Sequence, residues 1–244
     1  MDRLEEAAAI IRKSRNMIAL TGAGVSVESG IPDFRSAGGL WDKYDPAIYA
    51  SIQSFNSMPE TVWKMIFEMI ELTETAKPNS AHYALAELES MNFLKALITQ
   101  NIDNLHQEAG SKNVIEFHGN ASHLQCLRCG KEYEASGFDM SGKKIPLCSC
   151  GNILKPSVIF FGEMIPHEAL SRSAFYASRA DVVIVAGTSA VVYPAAAIPQ
   201  QARVNGAKII EFNIEETGLT ETGTDIFIHG SAGRTLPRLV ELLK

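Results

Sequence analysis

Short apolar runs punctuate the chain at residues 17–20, 96–98, 158–161, 182–185 and 209–212. Most are separated by stretches with apolar residues at helical spacing: Leu4, Ala8 and Ile11 near the N-terminus, then residues 81–91, 167–179 and 194–205. Apolar strands alternating with helices predict an α/β fold, a parallel sheet with helices on both faces. Each of four runs ends in small or polar residues: Thr21-Gly22-Ala23-Gly24, Gln100-Asn101-Ile102-Asp103, Gly187-Thr188-Ser189 and Asn213-Ile214-Glu215. Ligands bind open α/β sheets beyond the carboxyl ends of the strands, so these segments are expected to line one crevice. Residues 182–202 carry no charge and are long enough to suggest a membrane span. Gly187-Thr188-Ser189, Pro194 and Pro199 interrupt them, which predicts a buried strand, a loop and a helix.

Two stretches break the rhythm. Residues 34–78 turn aromatic and Met-rich, with Trp63, Met65, Ile66, Phe67 and Met69, and residues 122–156 hold all four cysteines among Lys, Gly and Ser. Both are read as insertions that form a smaller second domain. The larger domain is then expected to comprise 1–33, 79–121 and 157–244.

At 244 residues, with 46% hydrophobic and 20% charged, the chain can build a full core without disulfides. A net charge of −6 argues against sequence-independent nucleic-acid binding, which draws on a basic face. Lys131, Lys143 and Lys144 near the cysteines read as a solvated face. The charged start Met1-Asp2-Arg3-Leu4-Glu5-Glu6 has no basic and apolar leader, so a cytoplasmic location is expected, with a monomer as the default.

The cysteines fall as Cys126-x-x-Cys129, eighteen residues, then Cys148-x-Cys150. Two close pairs in a short polar segment suit tetrahedral thiolate ligation of one structural zinc ion; incidental thiols or a redox pair are the alternatives. Gly22-x-Gly24 after a strand is a candidate phosphate cradle, with a helix N-terminus expected to follow. Position 27 is Val and no Lys-Ser or Lys-Thr pair follows, which disfavours an ordinary dehydrogenase and an NTPase. Residues 26–35 add a carboxylate, an aromatic ring and a guanidinium beside that loop. His118 closes the strand-like run Val114-Ile115-Glu116-Phe117 and is placed to face the same crevice, or to serve as a hydrogen-bonded strand-end histidine. Asn101 and Asp103 read as site residues or as caps of the helix containing Leu105.

In combination these motifs resemble the sirtuin family of NAD-dependent protein lysine deacylases. The residues that carry the resemblance are Thr21-Gly22-Ala23-Gly24-Val25-Ser26, Gly30-Ile31-Pro32-Asp33-Phe34-Arg35, Thr99-Gln100-Asn101-Ile102-Asp103-Asn104-Leu105-His106, His118-Gly119, the paired cysteines, Phe161-Gly162-Glu163, Gly187-Thr188-Ser189 and Val192-Tyr193-Pro194-Ala195. They run in order over nearly the whole chain. The resemblance implies a Rossmann-like NAD-binding domain with a zinc ribbon and NAD as co-substrate. It implies a reaction in which the acyl oxygen of a modified lysine attacks C1′ of the nicotinamide ribose, releasing nicotinamide and forming an alkylimidate. A general base matching His118 then activates a ribose hydroxyl, leading to O-acetyl-ADP-ribose and free lysine. Imidazole suits that step because its pKa lies near working pH.

By the same resemblance, His118, Asn101 and Asp103 are the catalytic set. Gly22, Ala23, Gly24, Ser26, Asp33, Phe34, Arg35, Gln100, Asn101, Ile102 and Asp103 bind the cofactor, with Phe34 shielding the reactive carbon. Gly187, Thr188 and Ser189 meet phosphate and ribose, and Asn213, Glu215 and Ala232 lie near the adenosine. Val158, Phe161, Gly162 and Glu163 match the segment that pairs with an extended acyl-lysine peptide. Relatives specialised for succinyl or malonyl lysine carry a Tyr-x-x-Arg pair in the helical insertion, where this chain has Ile66 and Met69. Acetyl and longer apolar acyl groups are therefore expected over dicarboxylic ones. Two other functions stay open at this point: protein mono-ADP-ribosyl transfer from the same site, and a zinc-ribbon adaptor that senses NAD.

Overall fold

The computed structural model describes residues 2–244. From the N-terminus these form α1 (Arg3–Ile11), β1 (Met17–Thr21), α2 (Leu40–Lys43), α3 (Pro46–Tyr49), α4 (Ile52–Ser57), α5 (Pro59–Thr75), α6 (Ser80–Ser90), β2 (Leu94–Thr99), α7 (Leu105–Glu108) and β3 (Val114–Glu116). There follow β4 (Gly119–Gln125), β5 (Glu132–Glu134), β6 (Lys155–Val158), α8 (His167–Ala177), β7 (Val182–Ala186), α9 (Ala197–Val204), β8 (Lys208–Asn213), α10 (Gly218–Thr222), β9 (Ile226–His229) and α11 (Ala232–Leu243).

Six strands make one parallel sheet in the order β3-β2-β1-β7-β8-β9. Counting only the strands of this sheet, that is the doubly wound order 3-2-1-4-5-6, and the order reverses between β1 and β7. Both of these central strands are buried at every position, as an apolar run covered on two faces should be. On one face α1, α6 and α11 pack Leu4, Ile11, Leu85, Leu88, Leu236 and Leu239 against the sheet. On the other, α8, α9 and α10 supply Ala169, Ala177, Ile198, Ala202 and Leu219. Local signals set the helix starts: Asp2 and Glu5 form a capping box on α1, and Asn79 with His82 forms one on α6.

A second, three-stranded antiparallel sheet has the order β5-β4-β6. It shares a core with the helical stretch, where Phe55, Val62, Trp63, Ile66 and Phe67 meet Leu124, Leu154, Val158 and Phe160. Trp63 Nε1 donates to Leu154 O at 3.0 Å, stitching α5 to the segment before β6. Residues 121 and 156, the junctions drawn from the sequence, fall inside β4 and β6.

Two expectations are corrected. The run 158–161 is not a strand of the parallel sheet: only Val158 is in a strand, and it pairs with Gly119 in the small sheet. Val158 and Phe160 are buried, both in the small core, while Phe161 is exposed. The glycine loop is followed not by an α-helix but by two short 3-10 turns, Ala23–Val25 and Val27–Ser29, so it has no α-helical dipole behind it. The uncharged stretch 182–202 forms β7, a loop and part of α9, and no helix is long and apolar enough to cross a membrane among the described residues.

Candidate active site

A cleft of about 1420 Å³ opens at the carboxyl ends of β1, β2, β7 and β8 and continues between α5 and the small sheet. Its walls collect residues far apart in sequence. Gly22, Ala23, Gly24, Asp33, Phe34 and Arg35 come from the segment after β1, Gln100, Asn101, Ile102 and Asp103 from the turn after β2, and His118 from the link between β3 and β4. Val158, Phe161, Gly162 and Glu163 line it from the end of β6 onward, Gly187, Thr188 and Ser189 after β7, Asn213 and Glu215 at the end of β8, Ala232 at the start of α11, and Ile66 and Met69 on α5.

Ser26 is the exception among the residues singled out from sequence. It is fully buried beneath the cleft floor, and its Oγ donates to Asp103 Oδ2 at 2.6 Å while accepting from Asn101 Nδ2 at 3.1 Å. His82 Nε2 lies 3.4 Å from the same hydroxyl. His82 Nδ1 accepts from the backbone N–H of Asn79, so the proton sits on Nε2 and points at Ser26. The other carboxylate oxygen of Asp103 accepts from Leu105 N at 3.0 Å, so Asp103 caps α7 and faces the cleft at once.

Asn101 is held at a second point. Its backbone N–H donates to Thr99 Oγ1 at 3.1 Å, Thr99 accepts from Thr21 Oγ1 at 2.9 Å, and Thr21 meets His106 Nε2 at 3.0 Å. Burial drives both imidazoles toward the neutral form: the pKa of His82 falls to about 4, and that of fully buried His106 falls well below its ordinary value. Thr21, Thr99 and His106 stand in the sequence motifs without a role and His82 in none of them, because their importance lies in burial across the sheet end, which no spacing encodes.

The glycines serve loop-on-loop packing. A Cβ on Gly22 would stand 2.7 Å from Thr188 Cβ, one on Gly24 2.8 Å from Gly187 Cα, and one on Gly187 2.4 Å from Val25 N. Gly187 also has φ +56°, in the left-handed region where glycine is at ease. Gly24 N–H donates to Gly187 O at 2.8 Å, which locks the two loops at the point where the strand order reverses. Across the same junction Gln100 Nε2 donates to Thr188 Oγ1 at 3.0 Å and Asn213 Nδ2 to Thr188 O at 3.1 Å. Asp33 is tied down by its own turn: burial raises its pKa, but the Ser36 hydroxyl at 2.6 Å and the backbone N–H groups of Ser36 and Arg35 outweigh that and hold it below the ordinary value. Phe34 stacks on Trp41 with ring centroids 4.9 Å apart.

His118 has one ring nitrogen engaged. Nδ1 lies 3.2 Å from Gln100 O; a carbonyl only accepts, so Nδ1 carries the proton and Nε2 keeps its lone pair. Burial lowers its pKa, partly opposed by that hydrogen bond. Opposite, Lys155 is fully buried with its ammonium 2.9 Å from Glu163 Oε2. Arg35 is the one Lys or Arg lining the cleft among the described residues, beside many carboxylates.

The four cysteine Sγ atoms of Cys126, Cys129, Cys148 and Cys150 lie within 4.8 Å of one another, with Cys126–Cys150 at 3.6 Å and Cys129–Cys148 at 3.5 Å. Four thiols converging without a disulfide fit one tetrahedral zinc ion, whose bonds of about 2.3 Å to sulfur set ligands nearly this far apart. The cluster stands at the outer end of β4, away from the cleft lining, as a structural site would.

The profile of the Sir2 family matches residues 22–194, which span the glycine loop, Asn101, His118 and the cysteines. The chain belongs to the Sir2 family. An NAD-dependent protein deacylase of Pyrococcus abyssi is 47% identical over 240 residues, covering 96% of each chain. A crystal structure of a Sir2 homologue with NAD is 45% identical, with a TM-score of 0.91 over 98% of this chain and 93% of that one. A Sir2 structure with a deacetylated p53 peptide and 3′-O-acetyl-ADP-ribose is 38% identical, with a TM-score of 0.92 over 98% and 97%. The sirtuin resemblance and the Rossmann-like fold expected from sequence are thereby established.

Proposed function

We propose that this chain is an NAD-dependent protein lysine deacetylase that yields nicotinamide, O-acetyl-ADP-ribose and free lysine. The observation that carries the reading is His118, fixed in the Nδ1–H tautomer by Gln100 O and lining the same cleft as Asn101 and Asp103 in a Sir2 chain. The cleft fits a dinucleotide in size and in its polar groups, since the donors of Gln100, Asn101, Ser189 and Asn213 and the acceptor Glu215 line it. Bound NAD supplies the electrophilic ribose carbon and the acceptor for the acyl group.

Each residue then has a task. His118 Nε2 takes a ribose hydroxyl proton, a role that needs the neutral imidazole that burial favours. Asn101, held by Ser26 and Thr99, orients ribose and water, and Ile102 with Asp103 forms the nicotinamide pocket. Ser26 acts from beneath, setting Asn101 and Asp103 in place. Phe34, backed by Trp41, covers the reacting carbon and excludes water. Gly22, Ala23, Gly24, Arg35, Gly187, Thr188 and Ser189 receive phosphates and ribose, and Asn213, Glu215 and Ala232 the adenosine end. An acyl-lysine peptide lies along Val158, Phe161, Gly162 and Glu163, with its acyl tail directed at Ile66 and Met69.

In this reading residues 1–33, 79–121 and 157–244 serve as the NAD-binding domain, with 34–78 and 122–156 forming the small one. One chain supplies the whole cleft, so this reading needs no second copy.

The test is incubation with an acetyl-lysine peptide and NAD, followed by mass spectrometry of the products. O-acetyl-ADP-ribose and unmodified peptide are expected. Nicotinamide release without peptide, or ADP-ribosylated protein in place of acyl-ADP-ribose, overturns the deacetylase reading.

A further inference from the structure

Lys155 is wholly buried, yet all three of its N–H donors are satisfied. They reach Val158 O at 2.6 Å, Pro156 O at 3.1 Å and Glu163 Oε2 at 2.9 Å, and the ammonium lies 4.5 Å from the centroid of the Phe160 ring. Glu163 Oε2 also accepts from Phe160 N at 2.7 Å, while Glu163 N donates back to Phe160 O at 3.0 Å. Residues 155–163 are thus folded around one buried charge pair.

The segment so closed is registered against both walls of the cleft. Ile159 N donates to His118 O at 2.8 Å, next to the proposed base. Phe161 uses both backbone groups on the segment before α4, with N to Ala50 O at 2.8 Å and O from Ile52 N at 3.0 Å. Phe161 and Gly162 therefore have little freedom to shift while Glu163 stays on Lys155.

We propose that Lys155 is a positioning residue that holds Glu163, and through it the segment 158–163, in the form that receives the acyl-lysine peptide. Glu163 then acts by facing inward to Lys155, not by contacting peptide with its carboxylate. This rests on the deacetylase reading above. A buried charge left without its partner is costly, whereas removing both charges together is tolerated far better, so the two roles of the pair, folding and positioning, can be separated.

The test compares wild type, Lys155→Met and the double variant Lys155→Met/Glu163→Gln in steady-state deacetylation of an acetyl-lysine peptide. The double variant leaves no unpaired buried charge and is expected to keep a near-native melting temperature. In both variants the peptide KM is expected to rise tenfold or more, while the NAD KM stays within twofold of wild type. A native peptide KM in the double variant overturns the positioning role, and so does an equal rise in both KM values, which is general damage. Absence of deacetylation by wild type is a separate outcome that strikes the functional reading itself.

Discussion

Asn101 Nδ2 donates to Ser26 Oγ at 3.1 Å, and that hydroxyl donates in turn to Asp103 Oδ2 at 2.6 Å. One buried hydroxyl thereby orders two side chains of the cleft. Ser26→Ala removes an acceptor from Asn101, a neutral bond worth about 0.5–1.5 kcal/mol, and a donor from Asp103, a bond to a carboxylate worth about 1.5–3 kcal/mol. At about 1.4 kcal/mol per decade, kcat for deacetylation is expected to fall about tenfold to a hundredfold. An unchanged kcat in steady-state assays would mean that Asn101 is positioned by its backbone bond to Thr99 alone.

His118→Ala is expected to abolish measurable turnover, since a general base contributes about 10²–10⁴-fold. Zinc content should stay at one per chain by metal analysis. The base must be neutral and burial lowers its pKa, so the acid limb of kcat/KM should bend below the ordinary histidine value of 6.5 and stay flat through neutral pH. A bend above 6.5 would contradict this assignment.

Stability should decline on acidification because of two other histidines. His82 and His106 are neutral in the folded state, with His82 lowered from 6.5 to about 4, chiefly by burial. The unfolded chain takes up protons first as pH falls through 6.5, so stability is lost from there downward, and the His82 part levels off near 4. His82 alone predicts a loss of about 2 kcal/mol between pH 7 and 5, with His106 adding in the same direction. Urea unfolding at the two pH values measures it. A flat profile would exclude buried neutral imidazoles.

Stripping the metal should destabilise the small sheet, because four thiols share one site and metal binding supplies folding free energy there, on top of the apolar core that Cys126 and Cys148 join. Cys148→Ser is expected to bring zinc content close to zero and to lower the melting temperature by several degrees. Retention of stoichiometric zinc in that variant would show that the four thiols do not share one ion.

Acyl selectivity follows from the apolar Ile66 and Met69 at the proposed tail end of the cleft, where Arg35 of the cofactor loop is the one Lys or Arg of the lining among the described residues. A succinyl carboxylate buried there without a partner costs several kcal/mol, so kcat/KM for a succinyl-lysine peptide should fall at least a hundredfold below that for the acetyl peptide. Comparable values would require a cation that reaches the tail on binding.

Much of the fold was legible because strand burial writes itself as uninterrupted apolar runs: β1, β2, β7 and β8 stand where those runs are. The cleft residues were legible because they occupy the strand ends, and motif spacing preserved their order. What stayed hidden depends on partners distant in sequence. β9 and α11 were not anticipated, since Ile226-Phe227-Ile228 is short and Pro237 interrupts the helical pattern. Phe160 and Phe161 read as one strand because burial alone does not say which of two cores takes the side chain. Lys155 carries no signal in the sequence; only the three-dimensional path brings Glu163 and two carbonyls around its ammonium.

β4 runs from Gly119, next to His118, to Gln125, next to Cys126. Its pairing with β6 shifts register between Gly119 and Leu124, yet both ends stay paired, Gly119 with Val158 and Gln125 with Lys155. His118 and the cysteine cluster are therefore tied to the two ends of one strand that β6 grips at both, like a batten held by two screws. The stretch between Cys129 and Cys148 is no free filler either, since β5 pairs with β4 and Ala135, Phe138 and Met140 line the cleft. A graft of another ribbon onto this chain should accordingly carry over residues 132–141 together with the four cysteines.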